Sequence, residues 1–229
     1  MSLGHGPSIV RNGLVLCLDA ANVKSYPGSG TTWNDVSGNN TNLTIYGGPA
    51  FNSAGYFTFS NNQTTQYIMN DNYSIPTDDI SFSCWFRSNF AGASQTPFTY
   101  SVAGDNTYLL YTDSSTIIVP HDLGNRYQVT VPDMKDVWCN FTWVRTRTTG
   151  VSLYYMNGVY VGTQTINAGS GPTSGGYLII GQEADAPGAG FDPAQNLDGD
   201  FAILSIYNRT LTAAEVSQNF NAVRGRFGI

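Results

Sequence analysis

The chain has 229 residues and a formal net charge of −6, with 41% hydrophobic, 13% aromatic and only 11% charged residues. Disorder needs high charge and few aromatics, so it is excluded; no apolar run reaches the ~20 residues of a membrane span. No basic stripe exists to hold nucleic acid or an anionic bilayer, so neither nucleic-acid binding nor membrane insertion is expected.

Residues 1–9, with His5 among their glycines, read as a flexible tail that lacks the basic and apolar regions of a classical signal peptide. Residues 10–229 show no linker and no fixed-period repeat, so they read as a single domain. Short alternations broken by Gly, Asn, Asp and Pro predict strands at 14–19, 42–46, 54–59, 66–70, 80–88, 97–103, 107–112 and 115–120. Further strands are predicted at 126–131, 138–146, 150–156, 159–165, 176–182 and 199–207. Asp113-Ser114-Ser115 and Asn157-Gly158 carry turn chemistry between neighbouring strands. One helix closes the series. Thr212 and Glu215 form a capping box, Val216, Phe220 and Val223 recur at helical spacing, and Gly225 and Gly228 end it. Cys17, Cys84 and Cys139 are odd in number and set in apolar strands, which predicts buried free thiols. An all-β, two-sheet antiparallel sandwich with one short C-terminal helix follows.

Alternation assigns faces within these strands. Ile80, Phe82, Cys84 and Phe86 point one way, and Ser81, Ser83, Trp85 and Arg87 the other. Cys139, Phe141 and Trp143 share one face of their strand, and Asn140, Thr142 and Val144 the opposite one. Paired in one sheet, the two strands would present Ser83, Trp85, Arg87, Asn140 and Thr142 together. An indole offers a flat apolar surface to the C–H side of a sugar, while hydroxyl, amide and guanidinium groups hydrogen-bond its hydroxyls. Tyr108, Tyr111, Tyr127 and Tyr155 extend the set of possible stacking groups. The alternative is that Trp85 packs beneath a neighbouring loop and the tyrosines pack in the sandwich.

Several segments resemble, in order, the laminin-G type of concanavalin A-like lectin/glucanase domain. These are GLVLCLDAAN (13–22), SYPGSG (25–30), WNDVSGNN (33–40), ISFSCWFR (80–87), WCNFTWVR (138–145), YYMNGVYVG (154–162), GYLIIG (176–181) and GDFAILSIYNRTLTAAE (199–215). The YPGSGTTW and QNFNAVRGRFGI segments are similar to copies in structural proteins of tailed bacteriophages. The resemblance implies a jelly-roll sandwich on a virion or otherwise extracellular surface. It implies no activity, because the fold hosts lectins, hydrolases and spacers alike.

The glucanase pattern E-x-D-x-x-E is absent, since Glu183 and Glu215 are the sole glutamates. Asp198 and Asp200 are a conceivable carboxylate pair for a divergent glycoside hydrolase. His121 has no nucleophile motif to serve. The family resemblance also implies a possible Ca2+ at a loop edge, with Asp19, Asp35, Asn39, Asp198 and Asp200 as ligands; an Asx-turn is the alternative for Asp35. The expectation is a non-catalytic carbohydrate-binding or adhesion module contacting host-surface glycans, with no catalytic residues. A virion decoration or spacer meeting other virion subunits or its own copies is the second reading.

Overall fold

The computed structural model describes residues 7–61, 63–90, 94–102, 105–186 and 188–229; His5 and the rest of 1–6, and residue 103 of the expected strand 97–103, lie outside the described residues. In chain order the strands are β1 (Leu14–Asp19), β2 (Thr32–Trp33), β3 (Leu43–Tyr46), β4 (Ala50–Asn52), β5 (Tyr56–Phe59), β6 (Tyr67–Tyr73), β7 (Ile80–Ser88), β8 (Gln95–Val102) and β9 (Asp105–Ser114). There follow β10 (Ile117–Asp122), β11 (Asn125–Arg126), β12 (Val129–Thr130), β13 (Cys139–Thr146), β14 (Val151–Met156), β15 (Val159–Thr165), β16 (Gly176–Ile180) and β17 (Gly199–Tyr207). Helix α1 (Ala213–Val223) and a 3-10 turn (Arg224–Arg226) end the series. The expected strand 126–131 is divided into β11 and β12, and β2 and β4 were not expected. Both are too short for alternation to register.

An eight-stranded antiparallel sheet runs β15-β14-β13-β7-β17-β5-β4 with β1 also on β17, and a nine-stranded one runs β11-β10-β9-β8-β16-β6-β3-β2 with β12 on β10. The two sheets pack face to face, as alternation requires. Ile80, Phe82, Cys84, Phe86, Cys139, Phe141 and Trp143 from the first sheet meet Phe98, Tyr100, Tyr108, Leu110 and Ile118 from the second in one buried cluster. Phe82 lies between Trp143 and Tyr108, with ring centroids 5.5 and 5.3 Å away. All three cysteines are free and buried.

Arg145 and Asp122 cross this interior. Arg145 Nε donates to Asp122 Oδ2 at 2.7 Å, and neither side chain is exposed. Among the described residues, Arg145 Nη1, Asp122 Oδ1 and the Tyr108 hydroxyl are buried there without hydrogen-bond partners.

The Asn157-Gly158 turn has positive φ at both residues (52° and 77°), which matches the right-handed twist of a two-residue hairpin. Helix α1 starts with the expected capping box: Glu215 N–H donates to Thr212 Oγ1 at 3.2 Å, and Thr212 N–H to Glu215 Oε2 at 2.9 Å. Part of the expected tail is docked against this helix. Gln218 Nε2 donates to the Ser8 carbonyl at 2.7 Å, and Val10 N–H to Asn219 Oδ1 at 2.8 Å.

Candidate functional site

Strands β7 and β13 are neighbours, with Asn140 opposite Trp85 and Thr142 opposite Ser83. The five side chains expected on one face therefore do share it, but α1 and the turn after it lie across them. Trp85 is 2% exposed. It is stacked between Phe220 (5.7 Å, 5° between ring planes) and Phe227 (4.1 Å, 16°). Beneath the helix, Asn140 Nδ2 and Thr142 Oγ1 each reach Ser83 Oγ at 3.1 Å. The expectation of an open surface at Ser83, Trp85, Asn140 and Thr142 is thus corrected: a helix far along the chain covers them. Two of the tyrosines, Tyr108 and Tyr155, are corrected too. Tyr108 is in the inter-sheet core, and Tyr155 packs with Val216 under the helix. Tyr111 is half-buried on the outer face of the other sheet, its ring 5.9 Å from that of His121.

Arg87 is the exception. At the end of β7 it passes beyond the helix into a cleft of about 370 Å³ lined by Tyr56, Thr58, Arg87, Asn89, Asp136, Asp198 and Asp200, among others. Asp198 stands immediately before β17, and Asp200 is the second residue of that strand. Arg87 holds Asp200 Oδ2 through Nε at 2.8 Å and Nη2 at 2.5 Å. Thr58 Oγ1 donates to the other oxygen at 2.6 Å. Asn89 Nδ2 donates to Asp198 Oδ2 at 2.6 Å. Between the two aspartates only glycine fits, since a Cβ on Gly199 would stand 2.1 Å from the Arg87 carbonyl oxygen. The Arg87 guanidinium also sits over the rings of Trp138 and Tyr56, 5.2 and 5.8 Å from their centroids.

The result is a half-open recess with carboxylate acceptors, amide and guanidinium donors, and an aromatic flank. Tyr56, Thr58, Asn89, Asp136 and Trp138 were not expected there. A signal for three of them was present. The alternation within 138–146 itself puts Trp138 on the Asn140 face, and Tyr56 and Thr58 alternate with the inward Phe57 and Phe59.

The proposed calcium ligands do not converge. Asp19 accepts from Arg226 Nη1 through both oxygens at 2.9 Å. Asp35 takes the alternative role: its Oδ1 accepts from Ser37 N–H at 2.8 Å and from Cys17 N–H at 2.9 Å. Asn39 Nδ2 donates to the Val15 carbonyl at 3.0 Å. With Asp198 and Asp200 together in the cleft, Asp19, Asp35 and Asn39 are held elsewhere by their own partners, and the five do not form one ligand set. Among the described residues no cluster of three His, Cys, Asp or Glu side chains is placed to hold a metal ion. Calcium does not fit this set.

A laminin-G family model, described as the concanavalin A-like lectin/glucanases superfamily, matches residues 60–217. The chain belongs to that superfamily. Neuronal pentraxin-2 of Cavia porcellus is 29% identical over 181 residues, which is 76% of this chain and 42% of that protein. Sushi, von Willebrand factor type A, EGF and pentraxin domain-containing protein 1 of Rattus norvegicus is 27% identical over 154 residues, 66% of this chain and 4% of that protein. This chain therefore spans less than half the length of either relative. The native heptameric SAP-like pentraxin from Limulus polyphemus superposes with a TM-score of 0.64 at 19% identity, over 73% of this chain and 82% of that one. A structure of botulinum neurotoxin type C, whose cell entry depends on two ganglioside molecules, superposes with a TM-score of 0.69 at 15% identity, over 93% of this chain and 52% of that one. At these identities the structures share a lectin-like, laminin-G/pentraxin type of fold. That fold is a property of the superfamily, whereas the cleft belongs to this chain's own residues.

Proposed function

We propose that this superfamily member is a non-catalytic carbohydrate-binding or adhesion module, displayed on a virion or other extracellular surface, that holds one unit of a glycan in the Asp198–Asp200 cleft. The observation that carries the reading is the arrangement of Arg87, Asn89, Asp198 and Asp200 beside Tyr56. Sugar hydroxyls donate to the carboxylates and accept from the amide and guanidinium groups, while a ring face lies on the tyrosine. Structural neighbours lend support at the level of the fold: one is the neurotoxin dependent on gangliosides, another a Trypanosoma rangeli sialidase in complex with sialic acid. Hydrolysis is disfavoured because both Asp200 oxygens are held, one by Arg87 and one by Thr58. Asp200, the deeper member of the pair, is thus not free to act as acid or nucleophile. Many weak contacts from repeated copies would supply avidity.

A glycan array followed by calorimetric titration tests this. The wild-type chain is expected to bind at least one oligosaccharide. Asp198→Ala and Asn89→Ala should each weaken it about tenfold or more, as expected for loss of a hydrogen bond to a charged group. No binding at millimolar sugar, or equal binding by both variants, would sink the proposal.

A further inference from the structure

The aromatic flank of the cleft continues under the last turn. Tyr56 packs edge-on to Trp138 at 5.3 Å, Trp138 lies 4.7 Å from Phe227, and Phe227 lies 4.1 Å from Trp85. Phe227 is thus a removable ring between two indoles, and only the near end of that run is open to the cleft.

The segment carrying Phe227 is lightly held. Its backbone hydrogen bonds are internal, from Phe227 and Ile229 N–H to the Arg224 carbonyl. Its polar tie to the sheet among the described residues is the part-exposed ion pair of Arg226 with Asp19. Exposed pairs of this kind contribute little and weaken with salt. The adjoining end of α1 is not tightly packed on that face either: a void of about 40 Å³ lies beneath it, lined by Asp19, Ser83, Trp85, Ser205, Asn219 and Val223, among others. Asn140 Oδ1 is buried on the same face with no hydrogen-bond partner among the described residues, in a residue 1% exposed.

We infer that Trp85 and Trp138 form a second sugar subsite, continuous with the cleft and closed here by the chain's own Phe227. Its ligand is the next pyranose unit of an oligosaccharide whose neighbouring unit sits in the cleft, so the inference rests on the proposed function. Opening swings Arg224–Ile229 away, presents the indole faces to the sugar C–H surface, and frees the Asp19 carboxylate to accept a hydroxyl. Because the closed form excludes ligand, apparent affinity is lowered by the fraction of molecules open. Local openings of this kind lie well below the global unfolding free energy.

The test uses the full chain and its Phe227→Ala and Arg226→Ala variants. Each is titrated with laminarihexaose, cellohexaose and glucose, its tryptophan fluorescence is quenched with acrylamide, and its thermal melt establishes folding. Trp33 and Trp143 are fully buried in the core, so quenching reports on Trp85 and Trp138. Phe227→Ala is expected to raise the quenchable fraction and tighten a hexasaccharide about threefold to tenfold, leaving glucose unchanged. Arg226→Ala should move both readouts the same way by less. Folded variants with unchanged quenching overturn the inference, as does higher quenching with hexasaccharide binding unchanged or weaker. If wild type binds none of the sugars while Phe227→Ala binds a hexasaccharide, the cleft reading alone fails. If no chain binds any of them, the subsite inference fails, while the cleft reading stands or falls on the glycan array.

Discussion

Asp198, just before β17, and Asp200, within it, stand two positions apart, yet their surroundings differ. The guanidinium of Arg87 lies against Asp200, whereas Asp198 meets the neutral amide of Asn89. The thiols show the same dependence on surroundings. Burial pushes Cys17 up to about 11, with Asp19 adding to it, and Cys139 up to about 12. Cys84, in the centre of the core, is raised further by burial. Since the thiolate is the reacting form, none of the three should label with a disulfide-exchange reagent in the native chain at pH 8. All three should label in denaturant. Stoichiometric labelling of the folded protein would contradict their burial. The sequence contexts VLCLD, FSCWF and VWCNF made these thiols legible, because an apolar strand residue has only a core to enter. Trp85 was legible only by half. Alternation told which way it points, but its exposure depends on Phe220 and Phe227, well over a hundred positions away, and no local pattern encodes that contact.

Helix α1 was readable nearly to the residue because a capping box is local chemistry. Arg209, reaching Glu215 with two nitrogens at 2.8 and 2.6 Å, was not. Those bonds, and then the Thr212 backbone N–H, hold the Glu215 carboxyl down to about 2. A carboxylate with a lowered folded pKa stabilises above its ordinary value and loses that contribution as pH falls toward the folded one. The helix should therefore loosen over the interval from about 4.3, the unfolded glutamate value, toward 2. Thr212→Ala removes the reciprocal cap and should cost about 1 kcal/mol, or roughly 2–4 °C in melting temperature. Calorimetry of the two chains measures it; an unchanged melt would mean that the cap contributes nothing beyond tertiary packing. Strands β2 and β4 escaped prediction for the opposite reason. They are held by pairing with β3 and β5, not by any pattern of their own.

At the scale of the whole molecule, the shortage of charge sets the acid response. His121, on the outer face of the nine-stranded sheet, is 5% exposed. Burial pushes it down to about 4, and nearby Arg126 adds to the effect. The unfolded chain takes up this proton near pH 6.5 but the folded chain does so only near 4, so stability falls as pH drops between those values. The difference is on the order of 3 kcal/mol. His121→Gln should flatten the stability profile between pH 6.5 and 4 in urea titrations, and a profile as steep as wild type would refute the assignment.

The buried Arg145–Asp122 pair has a mechanical consequence. It joins β13 of one sheet to β10 of the other, so it resists sliding of the sheets in their planes. A slip of one residue, about 3.3 Å, would leave two opposite charges dry and apart. Removing one partner of a buried pair costs about 3–5 kcal/mol, which sets the scale of that penalty. Apolar contacts yield gradually under shear, whereas this tie holds until it breaks. Under a tugging load it acts as a rivet.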